Sequence, residues 1–156
     1  MTAMKQPEGH HLAQFNWATL RYDVKDPRVA EFTRNIARMN ALAERIPGFI
    51  WRHLDDPKQL RRLAHTGTFK RTPRFTTTLS VWRDFEALET FAFKTIHKRF
   101  YDKRAEWFEP HEGAYHVLWW VPEGHRPTIP EAVERAEHLL SQGDTAAAFG
   151  WRYLSG

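Results

Sequence analysis

The chain has 156 residues, 42% of them hydrophobic and 27% charged, with a formal net charge of +4. That mixture suits one globular domain with a real core, and excludes a disordered or fibrous chain. With no cysteine, disulfides and thiolate chemistry are excluded as well.

The N-terminal stretch MTAMKQPEGHH has no apolar run, so residues 1–10 read as flexible, without a secretory h-region. No segment is long enough to span a membrane, and a cytoplasmic protein is expected. HLAQFNWAT (His11 to Thr19) alternates and is a first strand, with Phe15 and Trp17 on one side and Gln14 and Asn16 on the other. A helix follows. Asp26 is its N-cap candidate, Pro27 takes the first helical position and Pro47-Gly48 closes it. Val29, Phe32, Ile36, Met39, Leu42 or Ala43, and Ile46 repeat at helical spacing and form its core stripe.

FIWRHL (Phe49 to Leu54) is a second strand. Residues 55–74 are polar and poor in pattern, a long connection of the kind that is often functional. FTTTLSVW (Phe75 to Trp82) is a third strand, rich in β-branched residues. Asp84 caps a second helix with Phe85, Leu88 and Phe91 at core spacing. It runs, with a break allowed near Thr95, to Glu109-Pro110. AYHVLWWV (Ala114 to Val121) is a fourth strand. Pro130 opens a third helix that Gly143 stops, and the tail AAAFGWRYL is a short fifth strand or a docked segment.

The order β-α-β-β-α-β, with a helix appended, predicts an α+β ferredoxin-like sandwich over 11–156: an antiparallel sheet with both main helices on one face. The other face would be open, and a second copy of the sheet is its economical cover. A homodimer is therefore expected.

Several segments also resemble the DUF3291 family: HLAQFNWATL, NALAERIPGFIWR, TLSVW, HKRFYDKRAEWF, VLWWVPEGHRPTIPEAVERAEHL and AFGW. The resemblance runs from His11 to about Trp151. It implies a protomer of the dimeric α/β-barrel superfamily, pairing sheet to sheet. That superfamily holds small quinol-type monooxygenases, heme-degrading oxygenases, chlorite dismutase-like heme proteins and stress-response proteins. It implies pocket chemistry without naming it.

The stretch FAFKTIHKRFYDKRAEWF carries the main candidates. Read as one helix, it puts His97, Tyr101, Arg104 and Phe108 on one side, with Trp107 beside them. A histidine on an apolar face is more often a hydrogen-bonded core residue than a catalyst. As a catalyst, His97 would move a proton near neutral pH or ligate heme iron. Heme-degrading members of the superfamily use an Asn on the first strand, a Trp on the third and a His on the second helix, and Asn16, Trp82 and His97 stand in those elements. A buried Arg104 would need an acidic partner or an anionic ligand such as a carboxylate, phenolate or heme propionate. Gln14 and Asn16 either face solvent or orient a ligand. Trp82 and Trp107 would wall a pocket for a small hydrophobic or aromatic molecule, unless they are plain core. His116 shares parity with Leu118 and Trp120 and could line the same cavity. Adjacent Trp119 and Trp120 must point to opposite faces.

Other chemistries fit poorly. His111 and His116 lack metal-ligand spacing, and neither a phosphate-cradling glycine loop nor a nucleophile elbow is present. The basic runs RRLAH and HKRFYDKR are broken by apolar or acidic residues, which favours a solvated face over nucleic-acid binding. The expectation is an oxygenase-like enzyme with His97 and Arg104 as catalytic groups, cofactor-free or with heme. The alternative is a non-catalytic ligand-binding or stress-response dimer.

Overall fold

A computed structural model describes residues 5–54, 74–110 and 115–155. The first strand, β1 (His10–Thr19), starts a residue earlier than predicted, and Gln6 before it is tied down by Nε2 bonds to the His10 and Arg83 carbonyls. Asp26 caps the next turn through the Arg28 N–H, with Pro27 behind it, and helix α1 (Ala30–Arg45) follows. Strand β2 (Phe49–Arg52) is short, while β3 (Phe75–Trp82) matches its prediction. The connection expected over 55–74 lies outside the described residues except for Arg74. Gly48 joins α1 to β2 at φ +97°, and a Cβ there would sit 2.6 Å from the Ala87 Cβ, so only glycine fits this turn.

The second helical region is broken twice. Helix α2 (Phe85–Lys94) is capped by Asp84 through the Ala87 N–H. Thr95 then adopts an extended backbone (φ −127°, ψ −178°). Its hydroxyl donates to the Phe91 carbonyl and accepts from the His97 N–H, so one side chain serves both helix ends at the elbow. Helix α3 (His97–Asp102) follows. Lys103 (φ −89°, ψ 2°) breaks it again before the single turn α4 (Arg104–Trp107).

Strand β4 (His116–Pro122) completes the sheet, helix α5 (Ile129–Gln142) follows, capped by Thr128, and helix α6 (Trp151–Ser155) ends the chain. The tail is thus a docked segment. Phe149 makes an isolated bridge with Leu118, and no fifth strand forms among the described residues. The strand order is β2-β3-β1-β4, antiparallel throughout, as a ferredoxin-like protomer requires.

Register assigns the two faces. Leu12, Gln14 and Asn16 lie level with Trp82, Ser80 and Thr78 on one side and with Trp120, Leu118 and His116 on the other. This face packs on α1 and α2, where Leu12, Trp82 and Leu118 join Ala43, Ala87 and Leu88. The opposite face was expected to be open, and here the structure differs. Phe15, Val117 and Trp119 are 0% exposed in the single chain. Ile129, Ala132, Ala136 and Leu139 of α5 join them in one core cluster. The appended helix folds back over the sheet. Trp119, on that side, donates from Nε1 to Glu131, while Trp120 faces the other way against Phe149.

Candidate functional site

On the side facing α1 and α2, the sheet grades from apolar to polar along its strands. At one end Leu12, Trp82, Leu118 and Trp120 make core. At the other, four polar side chains on β1 and β3 touch one another. Gln14 Nε2 donates to Ser80 Oγ (2.8 Å) and to Thr78 Oγ1 (3.1 Å), and Thr78 Oγ1 donates to Asn16 Oδ1 (2.6 Å). Trp82 Nε1 donates to the same Ser80 Oγ at 2.9 Å. Gln14 and Ser80 are each only 8% exposed, yet Thr78 is exposed and Asn16 half-buried. The result is a polar lane that opens at Thr78 and ends against the Trp82 indole.

Aromatic rings wall the closed end. Trp82 stacks on Phe91 with centroids 5.4 Å apart, and Phe91 meets the His97 ring at 4.5 Å. Phe49 closes on Trp82 edge-on. His97 is thus linked to the lane through two rings, and the Thr95 elbow turns it there. Its Nδ1 faces the Ala92 carbonyl at 3.1 Å. A carbonyl only accepts, so Nδ1 carries the proton and Nε2 keeps a lone pair. Burial lowers the His97 pKa, partly offset by that bond, and keeps the ring neutral.

A second group of rings lies around the α3 and β4 ends. Tyr101 and Tyr115 share a hydroxyl contact of 3.2 Å, and burial with this neighbour pushes the Tyr115 phenol up to about 12. Phe93 meets both Tyr101 and Trp151 edge-on. His116 lies edge-on to Tyr115, and its Nε2 accepts the Trp151 backbone N–H at 3.2 Å. Burial lowers its pKa, with Asp144 acting the other way. That lone pair is spent on holding α6, so His116 is a strut in this arrangement and not a base.

Arg104 is not where a single helix would put it. The break at Lys103 changes the helical phase, and Arg104 is exposed, its guanidinium 4.0 Å over the Tyr101 ring and its Nη1 bonded to the Tyr101 carbonyl. The expectation of an inward cation fails for that reason. Trp107 and Phe108 also stand apart, in a cluster with Leu20, Val29, Phe32 and Phe100. Gln14, Asn16 and Trp82 are brought together, with His97 reached through Phe91. Tyr101 and His116 belong to the neighbouring ring group. His111 lies outside the described residues.

Ser80, Thr78 and Phe91 were missed. Their signal was present: Thr78, Ser80 and Trp82 share strand parity in TTTLSVW, as Gln14 and Asn16 do in β1. Among the described residues, no group of three His, Cys, Asp or Glu could hold a metal ion.

The family model described as "Domain of unknown function (DUF3291)" matches residues 11–155. No curated protein matches the chain. Among solved structures, the chain is similar to PA3566 from Pseudomonas aeruginosa, with 14% identity, 72% of this chain and 93% of that one covered, and a TM-score of 0.46. It is also similar to SnoaB, a cofactor-independent oxygenase from Streptomyces nogalater, with 19% identity, 78% and 98% covered, and a TM-score of 0.47. NE2512 from Nitrosomonas europaea, a protein of unknown function, has 12% identity, 78% and 97% covered, and a TM-score of 0.47.

Proposed function

The chain belongs to the DUF3291 family, and from that premise we propose an oxygenase-like enzyme that acts on a small hydrophobic or aromatic molecule held between the sheet and helices α1–α3. One observation carries the proposal: a neutral His97 with a free Nε2 stands at the aromatic wall of a half-open polar lane. Nε2 would take a proton from an acidic C–H or O–H of the bound molecule, while Nδ1 stays bonded to the Ala92 carbonyl. The electron-rich anion then reacts with dioxygen. For an activated methylene, one dioxygen gives one carbonyl and one water, and the substrate supplies all four electrons. Gln14 and Asn16 orient the molecule, and Trp82 and Phe91 close the lane behind it.

Oxygen uptake with a panel of phenols, hydroquinones and aromatic ketones tests this. Uptake above the uncatalysed rate should fall about 10²-fold or more in His97→Gln. Saturable binding without uptake would leave the ligand-binding reading in its place.

Heme is a second reading, favoured by the same free Nε2, since an axial histidine usually donates its other ring N–H to a carbonyl or carboxylate. His97 would be the residue that holds the iron, which supplies redox chemistry when bound. The fit ends there, because the expected propionate clamp, Arg104, is exposed. A Soret shift on hemin titration, abolished in His97→Ala, would favour heme.

A homodimer and a cytoplasmic location belong to the same proposal. No helix among the described residues is long and apolar enough to cross a membrane. Pairing of bare sheets loses its support, because α5 already covers the face meant for a partner; a dimer would use another surface.

A further inference from the structure

We propose that Gln14 is the specificity-determining contact of the lane, and that its free Oε1 selects an uncharged ligand bearing an O–H or N–H donor. This deepens the reading above and rests on the same lane being the ligand site.

Gln14 is only 8% exposed, so its amide is not a surface group. Its Nε2 is fully occupied, giving one proton to Ser80 Oγ and one to Thr78 Oγ1. Both hydroxyls are themselves held: Ser80 by the Trp82 indole N–H, and Thr78 by Asn16 Oδ1. Turning the amide over would break both of its bonds and set Oε1 against Thr78 Oγ1, whose proton is already given to Asn16 Oδ1. Its Oε1 has no hydrogen-bond partner among the described residues, yet it is not one of the sealed, partnerless polar atoms, which are His11 Nδ1 and Trp120 Nε1. Solvent therefore reaches it. A carbonyl oxygen in that position only accepts, so the complementary group is a donor.

Charge narrows the class further. The side chains of the lane, Gln14, Asn16, Thr78, Ser80 and Trp82, are all uncharged. Among the described residues, Arg104 lies on the Tyr101 ring at the surface and Arg52 pairs with Glu44, so neither is offered to the lane. An anion entering here would lose its hydration without a counter-charge, and would meet Oε1 with a lone pair. A neutral hydroxy- or amino-substituted aromatic molecule meets Oε1 with its donor, while the buried Trp82 ring, stacked on Phe91, closes the end of the lane behind it.

Three naphthalenes that differ in one substituent test this in Trp fluorescence titrations: 1-naphthol, 1-methoxynaphthalene and 1-naphthoate. The parent protein should bind 1-naphthol about tenfold tighter than the methyl ether, the worth of a buried hydrogen bond that would otherwise go unpaired. 1-Naphthoate should bind most weakly. Gln14→Met, which keeps the volume, should erase the naphthol-to-ether ratio and leave ether affinity near that of the parent. Thr78→Val, at the exposed end, frees the amide and should shrink the ratio, which covers the case in which the Met variant does not fold. Equal affinity for naphthol and ether, tightest binding of naphthoate, or no binding of any probe would overturn the inference. Donor-selective binding without oxygen uptake would uphold it and sink the oxygenase reading alone.

Discussion

Replacing Ser80 by alanine deletes one oxygen on which two buried donors converge. Trp82 is 1% exposed and its Nε1 has that oxygen at 2.9 Å; it is packed by Phe49 and Phe91. In Ser80→Ala this indole N–H stays where it is, because the ring is held on both sides, and a stranded buried donor costs about 1–3 kcal/mol. Gln14 Nε2 loses its 2.8 Å bond but retains Thr78, a further loss of about 0.5–1.5 kcal/mol. The sum, roughly 1.5–4.5 kcal/mol, is a large part of the 5–15 kcal/mol typical of a domain. Urea unfolding at one fixed protein concentration, followed by tryptophan fluorescence, measures it. With a mid-range slope of about 2 kcal/mol per molar urea, the midpoint should fall by roughly 1–2 M. Ser141→Ala, whose exposed hydroxyl bonds to the His138 carbonyl, is the control and should stay within about 0.5 kcal/mol. A loss under about 1 kcal/mol for Ser80→Ala would mean that water reaches the indole N–H, and that the relay does not fix Gln14.

Stability should fall as the medium is acidified. Burial lowers the pKa of both His97 and His116 from the usual 6.5, so below that pH the unfolded chain takes up protons that the folded chain resists. The loss should be absent above about pH 7.5, grow as pH falls through 6.5, and stop growing once the folded-state values are passed. Comparing urea midpoints at pH 7.5 and 5 checks this, and His116→Asn should flatten the slope. Arg104→Met should cost no more than about 0.5 kcal/mol, because the guanidinium is at the surface; a cost above about 1.5 kcal/mol in urea unfolding would show a buried role. Sedimentation at micromolar concentration should give twice the chain mass of 18.5 kDa, and a single-chain mass would remove the proposed dimer.

The fold was legible because its signals are local. Asp26-Pro27 and Asp84 mark helix starts by capping chemistry that needs only the next few residues. Alternation in QFNW and LSVW fixed which side chains share a face. The site was less legible because its contacts are not local. Gln14 and Ser80 are 66 residues apart in the chain, and only the β1–β3 register makes them neighbours. Arg104 was misplaced for a different reason. A helical wheel keeps phase only within an unbroken helix, and neither Thr95 nor Lys103 carries the glycine or proline that usually announces a break. The cover provided by α5 could not be read from its amphipathic pattern, which says that one face is buried but not against which side of the sheet.

That cover bears on how tightly the polar lane is held. Side chains alternate along β1, so Gln14 and Asn16 have Ala13, Phe15 and Trp17 as their immediate neighbours on the reverse side. Those three are buried in one cluster with the α5 side chains, so the strand that mounts the lane is packed from behind at every second residue. Its backbone has little room to yield when a molecule arrives, so shape adaptation falls on the ligand and on the two-hinged α2–α4 arm opposite. A scaffold anchored in this way loses little conformational freedom on binding and is preorganised. It also ties the lane to a distant surface: one methyl group too many at Ala132 or Ala136, both 0% exposed beneath the sheet, would push on β4, which α5 packs against, and through its pairing on β1, and be felt as weaker binding at Gln14.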